Sequence, residues 1–541
     1  MNVVLHAQHT KNRSCMSGHG SFRRHLTAAI LLYGTLLSAT AWSQAKGGAE
    51  TAPANTLRVK AQLVVVDVTV TDASGNAVTN LTKDDFEIYE SGVKQTIRSF
   101  EPPSAHTLPA AVASGSDMSL RHLQQTAPET PVTVLVMDEL NTKYMDQVYS
   151  RTSIKRYLNS QPETLLQPTA LFAVTEASLK QVNDFTLNRA SLLDALQQHK
   201  PAYPFQMMRT GTSAEGTAER FAESLATLQQ VAQAMSGFPG RKNIVWVGQG
   251  FPSIDMRNLP DTQQKLLRGA GERTINMMND AHATLYTIDP QMATSGADDF
   301  TETSGDEMLS EAHNAKNPFD GTISFNTFAP ETGGRAFSLG NDIDHQIRAS
   351  VEQGTTFYTL SYSPQMNVSE AEQEYRRLTV RCLRPGLHVM TRRGYFSAPP
   401  PPPAVSPKQL KKELSFDLGA AAVSKMSYTA IGLLASPAEQ PGAFILQVDS
   451  SSMSWQTGED GEHRSELLLL TVALDKNDKP IAKSASSVTA RMPADRALSS
   501  VPFATLQAQL NIPANATRVR FIVRDMSSGR IGSADLLPDT H

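Results

Sequence analysis

The sequence predicts an α/β protein: a doubly wound, mostly parallel sheet preceded by a small β unit and followed by a β-sandwich. Three observations carry this. Between Pro131 and Tyr362, short apolar runs alternate with amphipathic stretches, and parallel strands need crossover helices. Before this region, residues 57–101 show period-2 alternation. After a run of prolines, residues 409–541 carry several short turn-separated strands.

The β unit opens with LVVVDVTVTD, where Val64, Val66, Val68 and Val70 fall on one face. Asp72 to Asn76 is a turn, and DDFEIYESGVKQTIRSF gives two strands joined at Glu90-Ser91-Gly92. Residues 102–129, rich in Pro, Ala and Ser, read as a linker.

The α/β domain spans 130–396. VTVLVMD (132–138) is nearly all apolar, as in a strand buried on both faces. Strands follow at 169–175, 243–248, 283–289 and 356–362, and helices at 144–158, 191–199, 220–235, 263–282 and 343–352. Phe221, Leu225, Leu228 and Ala232 make the clearest amphipathic stripe. Residues 290–330 interrupt the alternation with polar residues and glycine turns, predicting a surface flap or a mobile insertion. An antiparallel pair, 375–382 and 387–396, closes the domain around Pro385-Gly386. Residues 397–408 form a stiff proline-rich spacer before the sandwich at 409–541.

The chain has 541 residues, 40% hydrophobic and 19% charged, with a formal charge of -4. No basic block is long enough to track a nucleic-acid backbone, so nucleic acid is not an expected partner. Residues 1–45 read as an export signal: Arg23, Arg24 and His25 flank the apolar run Leu26–Leu37, and small residues at Ala39-Thr40-Ala41 or Ser43-Gln44-Ala45 offer cleavage sites. The apolar run is short for a membrane span, and no later segment is a candidate for one. Met16 is an alternative start. Cleavage removes Cys15, leaves Cys382 without an internal partner, and sends the product to the periplasm or the cell exterior.

Several blocks in a shared order, over roughly 57–396, resemble the acidobacterial VWFA-related domain, a divergent branch of the von Willebrand factor type A family. They include LVVVDVTVTDASGNAVTNLTKDDFEIYESGVKQTI, VLVMDELNTKYMDQ, GFPGRKNIVWVGQGFP, LYTIDP, ETGGRAFSLGNDIDHQIRASVEQGTTFYTLSYSP and YRRLTVRCLRPGLHVMTRRGYF. The resemblance implies an exported adhesive or scaffold protein. It would bind a protein or cell-surface ligand at the carboxyl end of the sheet, where ligands of open α/β sheets generally sit.

Many type A domains hold a divalent cation there, through an Asp-x-Ser-x-Ser turn, a second-loop Thr and a third-loop Asp. Asp138 matches the first Asp and Thr142 the second Ser, while Leu140 replaces the first Ser. Asn141 adds an oxygen nearby; Thr210, Thr212, Ser213 or Thr217 stand for the second-loop Thr; Gly248-Gln249-Gly250 lies where the third Asp belongs. The resemblance thus implies a degenerate Mg²⁺ site at Asp138, Thr142 and Thr212, with Asp138, Asn141, Thr142 and Gln249 on the ligand rim. The same side chains can cap the following helix instead, and the missing ligands favour that reading. No His-Glu-x-x-His, Cys-x-x-Cys or Gly-x-Ser-x-Gly occurs, so the expectation is a non-enzyme; an extracytoplasmic hydrolase is the alternative.

Overall fold

The computed structural model describes residues 63–113, 118–175, 179–201, 214–291, 317–338, 342–364, 374–397, 414, 417–458, 461–493 and 502–537. The export signal, Thr210, Thr212, Ser213 and nearly all of the proline spacer lie outside them. The fold is mixed α/β, with one mixed parallel and antiparallel sheet and several antiparallel ones.

The central sheet has six strands: β1 (Val132–Asp138), β2 (Thr164–Val174), β3 (Leu179–Asn188), β4 (Lys242–Val247), β5 (Ala283–Ile288) and β6 (Ala336–Phe337). Their spatial order is β6-β5-β4-β1-β2-β3. All neighbours are parallel except β3, which folds back antiparallel on β2. Every residue of β1, β4 and β5 is buried, so both faces of the sheet centre are covered. Helices α1 (Tyr144–Ser160), α2 (Arg189–Gln198), α3 (Ala214–Met235), α4 (Asp261–Asp280) and α5 (Ile343–Thr355) connect the strands. α1 and α5 pack together over β1, β4 and β5; α3 and α4 pack on each other, and α4 reaches β5. Among the described residues, no helix is long and apolar enough to cross a membrane.

Three expectations need correcting. The strand expected at 356–362 is not part of the parallel sheet. As Tyr358–Tyr362, it pairs antiparallel with both Val64–Thr71 and Ile97–Glu101. Residues 63–101, the described part of the expected β unit, therefore share a sheet with this later strand. Phe86–Glu90 likewise pairs with Tyr375–Cys382, and His388–Met390 with Val64–Thr71. The physical reason is alternation: Val64, Val66, Val68 and Val70 bury one face, and Tyr358, Leu360 and Tyr362 supply the partners in one apolar cluster.

The second half of the presumed flap is core. Phe319, Phe325 and Phe328 are buried, and Thr322–Ile323 pairs with Ile254–Asp255. Trp246 and Phe325 lie 4.7 Å apart between ring centroids. These aromatics are spread among polar residues, so no helix or strand period announces them.

At the C-terminal end, Leu433–Pro437, Ala443–Asp449 and Phe503–Gln509 form one antiparallel sheet. His463–Leu474, Pro480–Met492, Arg518–Asp525 and Ile531–Leu536 form most of another. Both contribute to one apolar cluster, in which the Phe444 and Phe521 rings meet edge-on at 4.8 Å. This region is fused to the central domain. Met426, Tyr428 and Ile531 belong to the main core, and the Thr429 N–H donates to the Ala234 carbonyl at 2.9 Å.

Candidate functional site

Asp138 ends β1 with its side chain 2% exposed. The chain turns immediately, and its carboxylate collects the amides that the turn leaves free. Oδ1 accepts from the backbone N–H groups of Leu140 (3.1 Å) and Asn141 (2.8 Å). Oδ2 accepts from Trp246 Nε1 (3.2 Å) and from the Gly250 N–H (2.9 Å). Asn141 Nδ2 donates to both oxygens, at 3.3 and 3.2 Å, and to Ser224 Oγ at 3.1 Å. One carboxylate thus joins the loop after β1 to the loop after β4, and Asn141 extends the link to helix α3. Burial pushes the Asp138 carboxyl up from its ordinary value, while the N–H groups of Asn141, Trp246 and Gly250 pull it back down.

Thr142 makes a second link. Its Oγ1 accepts from the Gln249 N–H at 3.1 Å, and Gln147 Nε2 donates to its carbonyl at 2.7 Å. The glycines flanking Gln249 allow this approach. A Cβ at Gly248 would stand 2.2 Å from Asp138 Cβ and 2.6 Å from Thr142 Oγ1. Gly250 has φ +64, and a Cβ there would meet the Phe325 ring at 2.2 Å.

The rim residues Asp138, Asn141, Thr142 and Gln249 therefore come together. Thr212 lies outside the described residues, and Ser224 on α3 supplies the second-loop contact instead. The donor chemistry does not fit Mg²⁺, which takes about six oxygens in octahedral geometry. The Asp138 oxygens already face N–H groups, the Leu140 side chain is buried hydrocarbon, and the third loop offers amide hydrogens in place of a carboxylate. Asn141 Oδ1 is buried with no partner among the described residues, but one neutral oxygen is not a cation site. Nor does Asp138 act through the following helix: the N-cap of α1 is Lys143, without a side-chain cap bond. Loop ordering is the work this arrangement does.

Sequence reasoning missed several neighbours. Glu139 Oε1 pairs with His199 Nε2 at 2.6 Å, both side chains nearly fully buried, which ties the same loop to the end of α2. Asp289, at the end of β5, is pushed up by burial and by the nearby Asp146 carboxylate. At the opposite end of the sheet, Glu101, His106 and Glu129 bring ligand-type atoms within 4.8 Å of one another, although Glu129 is exposed. Only the carboxylate at the end of β1 carried a local signal. The others are partners brought in from distant segments.

On the outer side of the loop, Tyr144, Met145 and Val148 in the first turns of α1 are 49%, 72% and 44% exposed. No family model matches the chain, and no curated protein matches it.

Proposed function

We propose that this chain is an exported, non-catalytic binding protein. Its α/β domain is a divergent von Willebrand factor A domain, and a β-sandwich supports it from behind. In this reading the carboxyl edge of the sheet engages a protein or cell-surface ligand without a metal bridge. The observation that carries it is the exposed trio Tyr144, Met145 and Val148 beside a loop locked from within by Asp138. Exposed aromatic and Met side chains on a preorganised loop are what protein-binding surfaces use.

Affinity capture from the producing cell's envelope and medium tests this, with the intact chain set against Tyr144→Ala/Met145→Glu. A partner retained by the first and lost by the second, at unchanged thermal stability, supports the reading. Identical capture by both sinks it, as does turnover of ester, peptide or glycoside substrates by the purified chain. Export is tested by N-terminal sequencing, with a mature start after Ala41 or Ala45 expected.

A further inference from the structure

At the amino end of the central sheet, far from the Asp138 loop, lies a cavity of about 30 Å³ bordered by Asp67, Arg241, Asn279, His282, Thr284 and Arg392. Arg241 immediately precedes β4 and is 3% exposed. Its Cζ sits 4.8 Å over the Phe357 ring, and its Nη2 donates to Tyr286 Oη at 3.3 Å. Its Nε and Nη1 have no hydrogen-bond partner among the described residues; the nearest acid oxygen, Asp67 Oδ2, is 4.0 Å from Nε. Arg392 donates through Nη2 to the Val65 carbonyl at 2.9 Å and leaves its Nε unpartnered. Asn279 Nδ2 is also buried and unpartnered. Four N–H-bearing nitrogens without a hydrogen-bond acceptor thus belong to three residues that border one small space.

The charge is unbalanced too. Among the described residues, Asp67 is the one acid bordering the cavity, against the two guanidinium groups of Arg241 and Arg392. Burial pushes the His282 imidazole down, towards its neutral form, so it adds little charge. Asp280, the next acid, ends α4 and faces the Arg392 charge, but burial pushes its carboxyl up, towards the neutral form, more than Arg392 pulls it down. The excess is one positive charge beside buried donors, an arrangement that is costly without an anion. The volume has room for a water or a monatomic ion. A water would satisfy donors but leave the charge.

We infer that this cavity binds a single halide ion, chloride in the cell, held by Arg241, Arg392 and Asn279. The ion would lock the junction between the amino end of the central sheet and the antiparallel strands that contain Asp67.

The test uses the intact purified chain at constant ionic strength, exchanging gluconate for chloride or bromide. The thermal midpoint should rise with halide along a one-site saturation curve, and ³⁵Cl resonance broadening should be relieved by bromide. A bromide-soaked crystal should show an anomalous peak between Arg241 and Arg392. Arg241→Lys removes the guanidinium donors. Asn279→Asp keeps both arginines and adds a negative charge, so it serves as the second variant if the first fails to fold. Each folded variant should lose the halide response. A midpoint indifferent to halide, with no anomalous peak, assigns the cavity to water and overturns the proposal. A response that survives Asn279→Asp overturns it as well, because the ion then binds elsewhere.

Discussion

The Gly250 N–H points at Asp138 Oδ2 from 2.9 Å, so the loop after β4 hangs from the carboxylate that ends β1. Where a third-loop carboxylate would assist a cation, a backbone amide takes its place. Asp138→Ala strands the Asn141, Trp246 and Gly250 donors in a buried site. It should cost about 3–5 kcal/mol in urea or thermal unfolding. Mg²⁺, Mn²⁺ and Ca²⁺ should leave the wild-type midpoint unchanged and give no binding heat. A tight calorimetric site lost in Asp138→Ala would reverse the assignment.

The glycines of this loop make a sharper test, because they separate strain from crowding. Gly250→Ala meets both a left-handed φ of +64 and the Phe325 ring, and should cost about 3 kcal/mol or more. Gly75 has a similar φ of +83 but nothing within 4 Å of an added Cβ. Gly75→Ala should therefore cost only about 1 kcal/mol, the backbone term alone. Equal losses in chemical denaturation would show that Phe325 moves aside freely.

How much of this was legible in the sequence depends on the kind of signal. β1, β4, β5 and the five connecting helices announce themselves, since a doubly buried strand is a continuous apolar run and α3 repeats its apolar residues at helical spacing. Asp138 stood out because it ends such a run. Its partners did not: Trp246 Nε1, Ser224 Oγ and the Gly250 amide converge only in three dimensions. Pro480–Met492, a 13-residue strand, is Ser- and Ala-rich and largely unburied over its first half, so no alternation marks it. Tyr358–Tyr362 was legible as a strand but not by its partners, since period and composition do not distinguish one sheet from the other.

Glu331 predicts a pH dependence. It is 2% exposed, Tyr375 Oη donates to its Oε2 at 2.5 Å, and burial pushes its carboxyl up to about 7 from an ordinary 4.5. The folded state therefore holds this proton more tightly than the unfolded state. The group's stabilising contribution is complete below pH 4.5 and is lost as pH rises to about 7. The loss is on the order of 3 kcal/mol. Glu331→Gln keeps the acceptor and removes the titration. It should be near neutral at pH 4 and stabilising at pH 8, as read from paired urea midpoints. A variant that destabilises equally at both pH values contradicts the shift.

The buried pair Arg376–Glu90 joins the strand Tyr375–Cys382 to Phe86–Glu90, with Nη1 and Oε1 2.7 Å apart. Tyr395 Oη donates to the same oxygen at 2.9 Å. Both charged side chains are almost inaccessible, at 6% and 2% exposure, so removing one leaves the other desolvated and alone. Arg376→Met should cost about 3–5 kcal/mol. Adding Glu90→Leu removes the orphaned carboxylate and should recover a large part of that, less the Tyr395 hydroxyl bond. If these strands belonged to an independent unit, the losses would appear as a separate early transition. Because Phe396, on the strand paired with Tyr375–Cys382, belongs to the main core, the single variant should shift the unfolding of the whole α/β body, with near-UV and far-UV signals moving together.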